Sequence, residues 1–471
     1  MSYKLVTQPR RALFRAYDIR GIVEAGFDRH MFYTLGVVLA ARVRAIGKSV
    51  VAVGRDGRLS SPELATALIA GCREGGCDVI DVGVVPSPVL YFATHTLEVD
   101  AGFMVTGSHN PKQYNGLKMV IAGKTLSESD IQGLYKQMLA ADYSLPGGGA
   151  YQALPIIPAY ITDIQQRLQI RRRLKVVVDC GNGVAAHTAP ALYAALGCEV
   201  VPLHATVDGN FPNHHPNPSV AENMQDLIAA VEAEQADVGL AFDGDADRLG
   251  VVTPSGKIIW PDRLMMLYSQ DVLQRQPGAT VVFDVKCSSF LADVITQCGG
   301  NPLLWRTGHS VLKAKMIEAS AALAGEMSGH IFFCENWYGF DDGVYAGARL
   351  LDILAARAES IDDIFHHFPE GVNTPEILLP LPDDKKFAFM ERLVETAHFA
   401  DAVVSTLDGL RVTFSHGWGL IRASNTTPNL TLRFESTTDA GLEAIRQQVR
   451  EALLLCDPTL DVSVLDQAVP V

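Results

Sequence analysis

Short apolar runs, each closed by glycine or a polar loop, punctuate the first three quarters of the chain. Ser49-Val-Val-Ala-Val53, Asp78-Val-Ile-Asp-Val82 and Gly102-Phe-Met-Val105 are rich in β-branched and apolar residues, which predicts buried strands. A helix is expected between the first two, because Ser60-Ser-Pro-Glu63 offers a capping box with an early proline and Gly75-Gly76 offers a stop. The same order recurs: Lys175-Val-Val-Val-Asp179 leads into a glycine turn and a helix, then come Gly197-Cys-Glu-Val-Val201 and Ala236-Asp-Val-Gly-Leu-Ala-Phe242. A third copy runs from Thr280-Val-Val-Phe-Asp284 through Leu303-Leu-Trp305 to a strand ending at Gly325. Each copy closes its third strand with an unusual polar loop: Thr106-Gly-Ser-His-Asn-Pro111, Asp243-Gly-Asp-Ala-Asp-Arg248 and Gly325-Glu-Met-Ser-Gly-His330.

Repeated β-α-β units imply a duplicated α/β architecture, and such sheets bind ligands beyond the carboxyl ends of their strands. The three loops are therefore candidates for one shared site. Beyond Pro369 the pattern changes to Leu410-Arg-Val-Thr-Phe414, Gly419-Leu-Ile-Arg422 and Leu430-Thr-Leu-Arg-Phe434, followed by a polar-faced helix. That predicts a small α+β domain with an antiparallel sheet. The expected organisation is three related mixed α/β domains, 1–153, 154–256 and 257–368, plus a C-terminal domain, 369–471, arranged around one central cleft. The glycine- and proline-rich stretches near 146–158, 254–261 and 369–382 read as the breaks between them.

At 471 residues the chain is too long for one core, which fits several domains. A net charge of −14 argues against a broad nucleic-acid or anionic-membrane surface, so an anionic ligand would need a local cluster of Arg, Lys and His. Eight cysteines form no C-x-x-C pair, and Cys77, Cys180, Cys198, Cys287 and Cys456 sit in or beside apolar runs, as packed free thiols do. With no apolar signal core and no run long enough to span a bilayer, a cytoplasmic location is expected.

The loops carry distinct chemistry. Ser108 could serve as a nucleophile, a phosphate carrier or a turn residue. Asp243, Asp245 and Asp247 would repel one another unless a hard cation such as Mg²⁺ drew them together. An EF-hand is excluded, since Arg248 and Pro254 occupy its glycine and glutamate positions. Gly181-Asn-Gly183 imitates a dinucleotide fingerprint, but the next strand ends in Pro202-Leu-His204 without the required acid. Glu326, Ser328 and His330 could chelate sugar hydroxyls, though alone Gly325-Glu-Met-Ser-Gly-His330 reads as a glycine turn, and Arg422-Ala-Ser-Asn-Thr-Thr-Pro428 fits either the oxygens of a phosphate or a plain hairpin turn. Together they make a phosphoryl-transfer site on a phosphosugar.

These loops, with Phe14-Arg-Ala-Tyr-Asp-Ile-Arg-Gly21 and Thr307-Gly-His-Ser310, resemble the α-D-phosphohexomutase family along essentially the whole chain. Within it, the sugar and phosphate loops are similar to those of the bacterial bifunctional phosphomannomutase/phosphoglucomutase branch. The resemblance implies a Mg²⁺-dependent isomerase that interconverts hexose 1- and 6-phosphates through phosphoserine and a hexose 1,6-bisphosphate. It implies that Ser108 carries the phosphoryl group and that Asp243, Asp245, Asp247 and the phosphoserine hold the metal. Arg20, Lys118 and Arg248 would stabilise the transferring group, with His109 beside the nucleophile. Lys118 and His309 or His330 are candidates for proton transfer, and Glu326 and Ser328 for the sugar. Arg422, Ser424, Asn425 and Thr426 would hold the other phosphate, assisted by Tyr17 and Lys286. The implied partners are a phosphosugar alone, without nucleic acid or membrane, acting as a monomer or weak homo-oligomer. Phosphoglucosamine mutase is the alternative, and a metal-dependent sugar phosphatase a more distant one. Two positions depart from the family pattern: Gly107 replaces the usual alanine, which suggests a looser serine loop, and Ala246 replaces the usual glycine, which restricts the metal turn.

Overall fold

The computed structural model of the chain describes residues 3–425 and 427–467. They divide into two compact units, Met1–Leu264 with His309–Phe365, and Met265–Gly308 with His366–Val471. The third copy of the sequence pattern thus contributes to both.

In the first unit, β1 (Ile19–Ile22), β2 (Val50–Arg55), β3 (Asp78–Val84), β4 (Ala101–Val105), β5 (Tyr114–Ile121), β6 (Lys124–Thr125) and β7 (Tyr151–Ala153) build a sheet of order β1-β5-β4-β2-β3-β7, with β6 beside β5. Strand β2 runs parallel to β3 and β4, whereas β5 returns antiparallel to β4. Every residue of β4 is buried, as its unbroken apolar run requires of a central strand. A second sheet is made by β8 (Lys175–Asp179), β9 (Glu199–Leu203), β10 (Val238–Phe242), β11 (Leu249–Val252) and β12 (Ile258–Ile259), in the order β12-β11-β10-β8-β9. The path β3-β2-β4-β5 of the first sheet therefore recurs as β9-β8-β10-β11, with the same parallel and antiparallel senses. This repeat puts the loops after β4 and β10 at equivalent carboxyl ends.

The third copy contributes the parallel pair β13 (Thr280–Asp284) and β14 (Asn301–Trp305) to the second unit. Its antiparallel pair β15 (Leu323–Gly325) and β16 (Ile331–Phe333) belongs to the first unit. The rest of the second unit is an antiparallel sheet, as expected. Its strands are β17 (Val372–Asn373), β18 (Ile377–Pro380), β19 (Val403–Ser405), β20 (Leu410–Phe414), β21 (Gly417–Ala423) and β22 (Asn429–Ser436). The helices Lys386–Thr396 and Asp439–Cys456 bury Phe389, Leu393, Leu442, Ile445 and Val449 in the same core as this sheet.

Two local expectations fail for physical reasons. The stretch 369–382 is not a free linker, because β17 and β18 both pair with β22. The capping box at Ser60 does not form: its backbone is already helical (φ −83°, ψ −20°) and its hydroxyl accepts from Asn115 Nδ2 at 2.8 Å. All eight cysteines are free thiols, and no helix among the described residues is long and apolar enough to cross a membrane.

The helices Arg29–Ala45 and Ser61–Glu74 pack backbone against backbone at two glycines. A Cβ on Gly71 would fall 2.0 Å from the carbonyl oxygen of Tyr33, and one on Gly36 would fall 2.3 Å from that of Leu68. Gly71→Ala must therefore push the helices apart, a cost of about 1–3 kcal/mol. The midpoint of the first unit's thermal transition is expected to fall by roughly 3–8 °C, and an unchanged melting curve would show that the helices are not in contact there.

Candidate active site

The serine loop leaves β4 at Val105 and is held from below by an ion pair that motif reading passed over. Asp56 Oδ2 accepts Thr106 Oγ1 at 2.8 Å and the Gly107 amide at 3.1 Å. Arg58, fully buried, donates to Asp56 from Nε at 3.2 Å. The same guanidinium donates to the carbonyls of Ser108 (2.7 Å), Asn110 (2.6 Å), Pro111 (2.8 Å) and Tyr114 (3.0 Å). A Cβ on Gly107 would meet Arg58 Cζ and Nε at 2.5 Å. The looseness expected of Gly107 is thus not found, because glycine here admits the arginine that ties the loop down. Ser108 takes a left-handed backbone (φ 49°), and its amide donates to Thr106 Oγ1 at 2.8 Å.

So held, Ser108 Oγ donates to Asp243 Oδ2 at 2.9 Å and lies 3.2 Å from His109 Nδ1. The carboxylates of Asp243, Asp245 and Asp247 are all buried, and their oxygens converge within 4.8 Å. Lys118, on β5, donates to Asp245 Oδ2 at 2.6 Å and also to Asp247 Oδ2. Ser87 Oγ reaches Asp245 Oδ2 as well. Burial pulls the Lys118 ammonium down, but Asp245 and Asp247 overcome this and hold it well above its usual value. Burial and the two neighbouring aspartates push Asp243 well up. Asp245 Oδ1 and Asp247 Oδ1 are buried without a hydrogen-bond partner. Three converging carboxylates, two unsatisfied oxygens and one ammonium leave negative charge uncompensated, so the donor set fits a hard divalent cation.

Around this cluster stand the other cations and imidazoles. Arg20 pairs with Asp18 and donates to Asn110 Oδ1 in the serine loop. Arg248 Nε donates to His330 Nε2 at 3.0 Å and lies 3.9 Å from Asp243 Oδ2. His330 Nδ1 is 3.2 Å from Asp341 Oδ2, and Lys313 Nζ donates to Asp341 Oδ1 at 2.8 Å. His309 stacks on His330 at 5.4 Å between ring centres, and Tyr17 meets His309 edge-on at 6.2 Å. Burial, reinforced by nearby cations, holds His109 and His309 well below the ordinary histidine value, so both are neutral imidazoles. Glu326 is buried and accepts Ser328 Oγ at 2.8 Å, and the Glu326 amide donates to the His330 carbonyl at 2.9 Å. Serine, metal-type and sugar-type loops are thus brought together within the first unit.

The phosphate-type loop lies in the second unit. Arg422, at the end of β21, donates to Asp408 at 3.1 Å, and Ser424 Oγ accepts from the Thr427 amide at 3.1 Å. Asn425 lies on the same turn, and Thr426 lies outside the described residues. Lys286 donates to Glu376 at 2.6 Å. Burial pulls its ammonium down, yet Glu376 and Asp284 raise it on balance against the repulsion of Arg422. Sequence reasoning missed Asp56, Arg58, Lys313, Asp341, Glu376 and Asp408, the counter-charges that set the site's cations and imidazoles. The one signal available was Gly54-Arg-Asp-Gly-Arg58, a charged run closing a buried strand.

A hydroxyl hydrogen-bonded to a buried carboxylate cluster at the carboxyl ends of duplicated α/β sheets is the arrangement of an enzyme that handles phosphoryl groups with a divalent metal, by transfer or by hydrolysis. Comparison with known proteins agrees along the chain. Residues 11–144, 158–256 and 260–371 match the phosphoglucomutase/phosphomannomutase alpha/beta/alpha domains I, II and III, and residues 376–452 match the C-terminal domain. The phosphomannomutase/phosphoglucomutase of Pseudomonas aeruginosa is 51% identical over 451 residues, covering 96% of this chain and 97% of that protein. A phosphoglucomutase of Neisseria gonorrhoeae is 47% identical over 450 residues, covering 94% and 97%. The crystal structure of a phosphoglucomutase/phosphomannomutase family protein from Burkholderia thailandensis superposes with a TM-score of 0.92 at 48% identity, covering 96% and 99%. The chain belongs to the phosphoglucomutase/phosphomannomutase family, the α-D-phosphohexomutases, and is an intramolecular phosphotransferase.

The hydrogen bonds of Arg58 go to Asp56 and the serine-loop carbonyls, so its expected effect on turnover runs through the loop it positions. Arg58→Met should lower kcat on the order of tenfold to a hundredfold with little change in KM. Arg58→Lys should not restore it, since one ammonium cannot serve four carbonyls and Asp56. Normal kcat in a folded Arg58→Met protein would show that the clamp does not govern the nucleophile.

Proposed function

We propose that the chain interconverts the 1- and 6-phosphates of mannose, glucose or both, through a phosphoserine at Ser108 and a hexose 1,6-bisphosphate. The observation that carries this reading is the bond from Ser108 Oγ to Asp243 inside a buried three-carboxylate cluster closed by Lys118. Asp243, Asp245, Asp247 and an oxygen of the phosphorylated Ser108 would hold Mg²⁺, which when bound offsets the charge between a phosphoryl group and an incoming hydroxyl.

Chain residues account for the remaining steps. Ser108 Oγ gives its phosphoryl group to the free O1 or O6 of the sugar, and the bisphosphate returns its other phosphate to Ser108. Arg20, Lys118 and Arg248 supply positive charge to the transferring group, and neutral His109 faces the serine oxygen. Nδ1 of both His309 and His330 faces Asp341 Oδ2, at 3.6 and 3.2 Å, and His330 Nε2 already accepts from Arg248, so His309, kept neutral by burial, would take the sugar hydroxyl proton at Nε2. Glu326 and Ser328 take sugar hydroxyls, with Tyr17 beside His309. Arg422, Ser424 and Asn425, with Lys286, take the phosphate that is not reacting. Such an enzyme supplies carbohydrate metabolism from the cytoplasm.

Ser108→Ala should reduce mutase turnover by several orders of magnitude while hexose 6-phosphate still binds. Near-normal rates in a coupled assay, primed with a 1,6-bisphosphate, would end the carrier assignment. That assay, offering mannose, glucose and glucosamine 1-phosphates side by side, should show turnover of the first two and little of the third. Removing divalent metal with excess chelator should stop transfer and added Mg²⁺ should restore it; undiminished activity in chelator would remove the cation from the aspartate loop.

A further inference from the structure

A second group of metal-type donors lies one strand away from the catalytic aspartates. Asp179 is the last residue of β8, paired in register with Ala241 of β10, while Asp243 follows the end of β10. Asp179, His204 and His214 each offer a ligand atom, and these atoms fall within 4.8 Å of one another. Asp179 is fully buried, whereas His204 and His214 are partly exposed, so the group has an opening to solvent. His214 Nε2 lies 2.9 Å from Asp179 Oδ2, and the two imidazoles meet edge to face at 5.3 Å.

The surroundings fix these ligands as a metal site requires. His214 Nδ1 lies 3.0 Å from its neighbour's carbonyl, that of His215, to which only an N–H can donate, so Nε2 is the nitrogen presented to Asp179. The other oxygen of Asp179 accepts the Gly181 amide at 2.9 Å. His204 is held just past the end of β9 by a left-handed backbone (φ 46°), and its Nε2 lies 2.9 Å from Asp226 Oδ2. Without a metal the contact of His214 with Asp179 is met by a proton on Nε2, since burial pulls the imidazole down but the bond to Asp179 raises it on balance. A bound cation would displace that proton and be held by the same two atoms. N and O ligands about 2.0–2.2 Å from one ion are compatible with the observed spread after small side-chain rotations. Two imidazoles and a carboxylate select a borderline transition-metal ion, whereas Mg²⁺ prefers oxygen alone.

We propose that Asp179, His204 and His214 form a second divalent-cation site, for an ion such as Zn²⁺ or Co²⁺, with Asp226 on its outer side. The ion would brace the turn after β8, which touches the aspartate loop where the Val184 amide donates to the Gly244 carbonyl at 3.3 Å. The test uses the full-length, tag-free protein titrated with Co²⁺ in excess Mg²⁺, read by visible absorption. One equivalent should give the intense spectrum of tetrahedral Co²⁺, with apparent affinity lowered at least tenfold in His204→Ala and His214→Ala and kept in Asp243→Asn. No intense band in the wild-type protein overturns the proposal. So does a band that survives both histidine substitutions, or one lost in Asp243→Asn, which would place the ion in the aspartate loop. His204 lies at the rim, so His204→Ala keeps the test decisive if His214→Ala fails to fold.

Discussion

The first unit is organised around a buried ammonium. Lys118 Nζ sits between Asp245 and Asp247, with its side chain 3% exposed and both carboxylates at 0%. Burying any of these ions alone would cost several kcal/mol, so each tolerates its position only because the others are there. The pairing also joins the two sheets: Lys118 stands on β5 of the first, and the aspartates follow β10 of the second. Ser87 adds to the same junction, donating its amide to the Asp245 carbonyl at 2.9 Å and its hydroxyl to the Asp245 carboxylate. One lysine cannot neutralise three carboxylates. Burial and the remaining charge together raise Asp243, and that charge draws the Ser108 hydroxyl to the cluster and makes the loop a place for a divalent ion. The nucleophile's orientation and the cation's site therefore have the same electrostatic origin.

Strands were legible in the sequence because they are buried on both faces and so appear as unbroken apolar runs; β4 and β10 are examples. Their repetition gave away the duplication, and the polar loops that follow them gave away Ser108 and the aspartates. Edge elements were less legible. Strands β17 and β18 are short, lie against β22 near prolines and lack an alternating pattern, so the segment read as a linker. Ser60 misled because a capping signal assumes a free hydroxyl, and Asn115, distant in sequence, takes it.

The counter-charges were hidden for a different reason. Whether Arg58 faces solvent or four loop carbonyls depends on where β4 and its loop lie, information that Gly54-Arg-Asp-Gly-Arg58 does not contain. Asp341 is similar: as one of two adjacent aspartates it reads as a solvated turn, yet it is buried among Lys313, His309 and His330. Its pairing with Lys313 outweighs desolvation and keeps it ionised, so the imidazoles face a fixed negative charge.

The two departures from the family pattern have opposite structural meanings. Gly107 removes a Cβ where Arg58 needs space, so the smaller residue accompanies a tighter loop. Ala246 adds a Cβ at φ 61°, a region that disfavours side chains by roughly 1–2 kcal/mol. The turn offsets that strain with bonds on every side: the Ala246 amide donates to the Asp243 carbonyl at 3.0 Å, and its own carbonyl accepts from Gly343 at 3.2 Å. Asp243 Oδ1 meanwhile accepts the amides of Asp247 and Arg248 at 3.1 and 3.2 Å. A glycine could adopt this turn without strain but would also leave it freely. With alanine, the same bonds hold a chain that has fewer alternatives, so the aspartates keep their convergence despite their mutual repulsion.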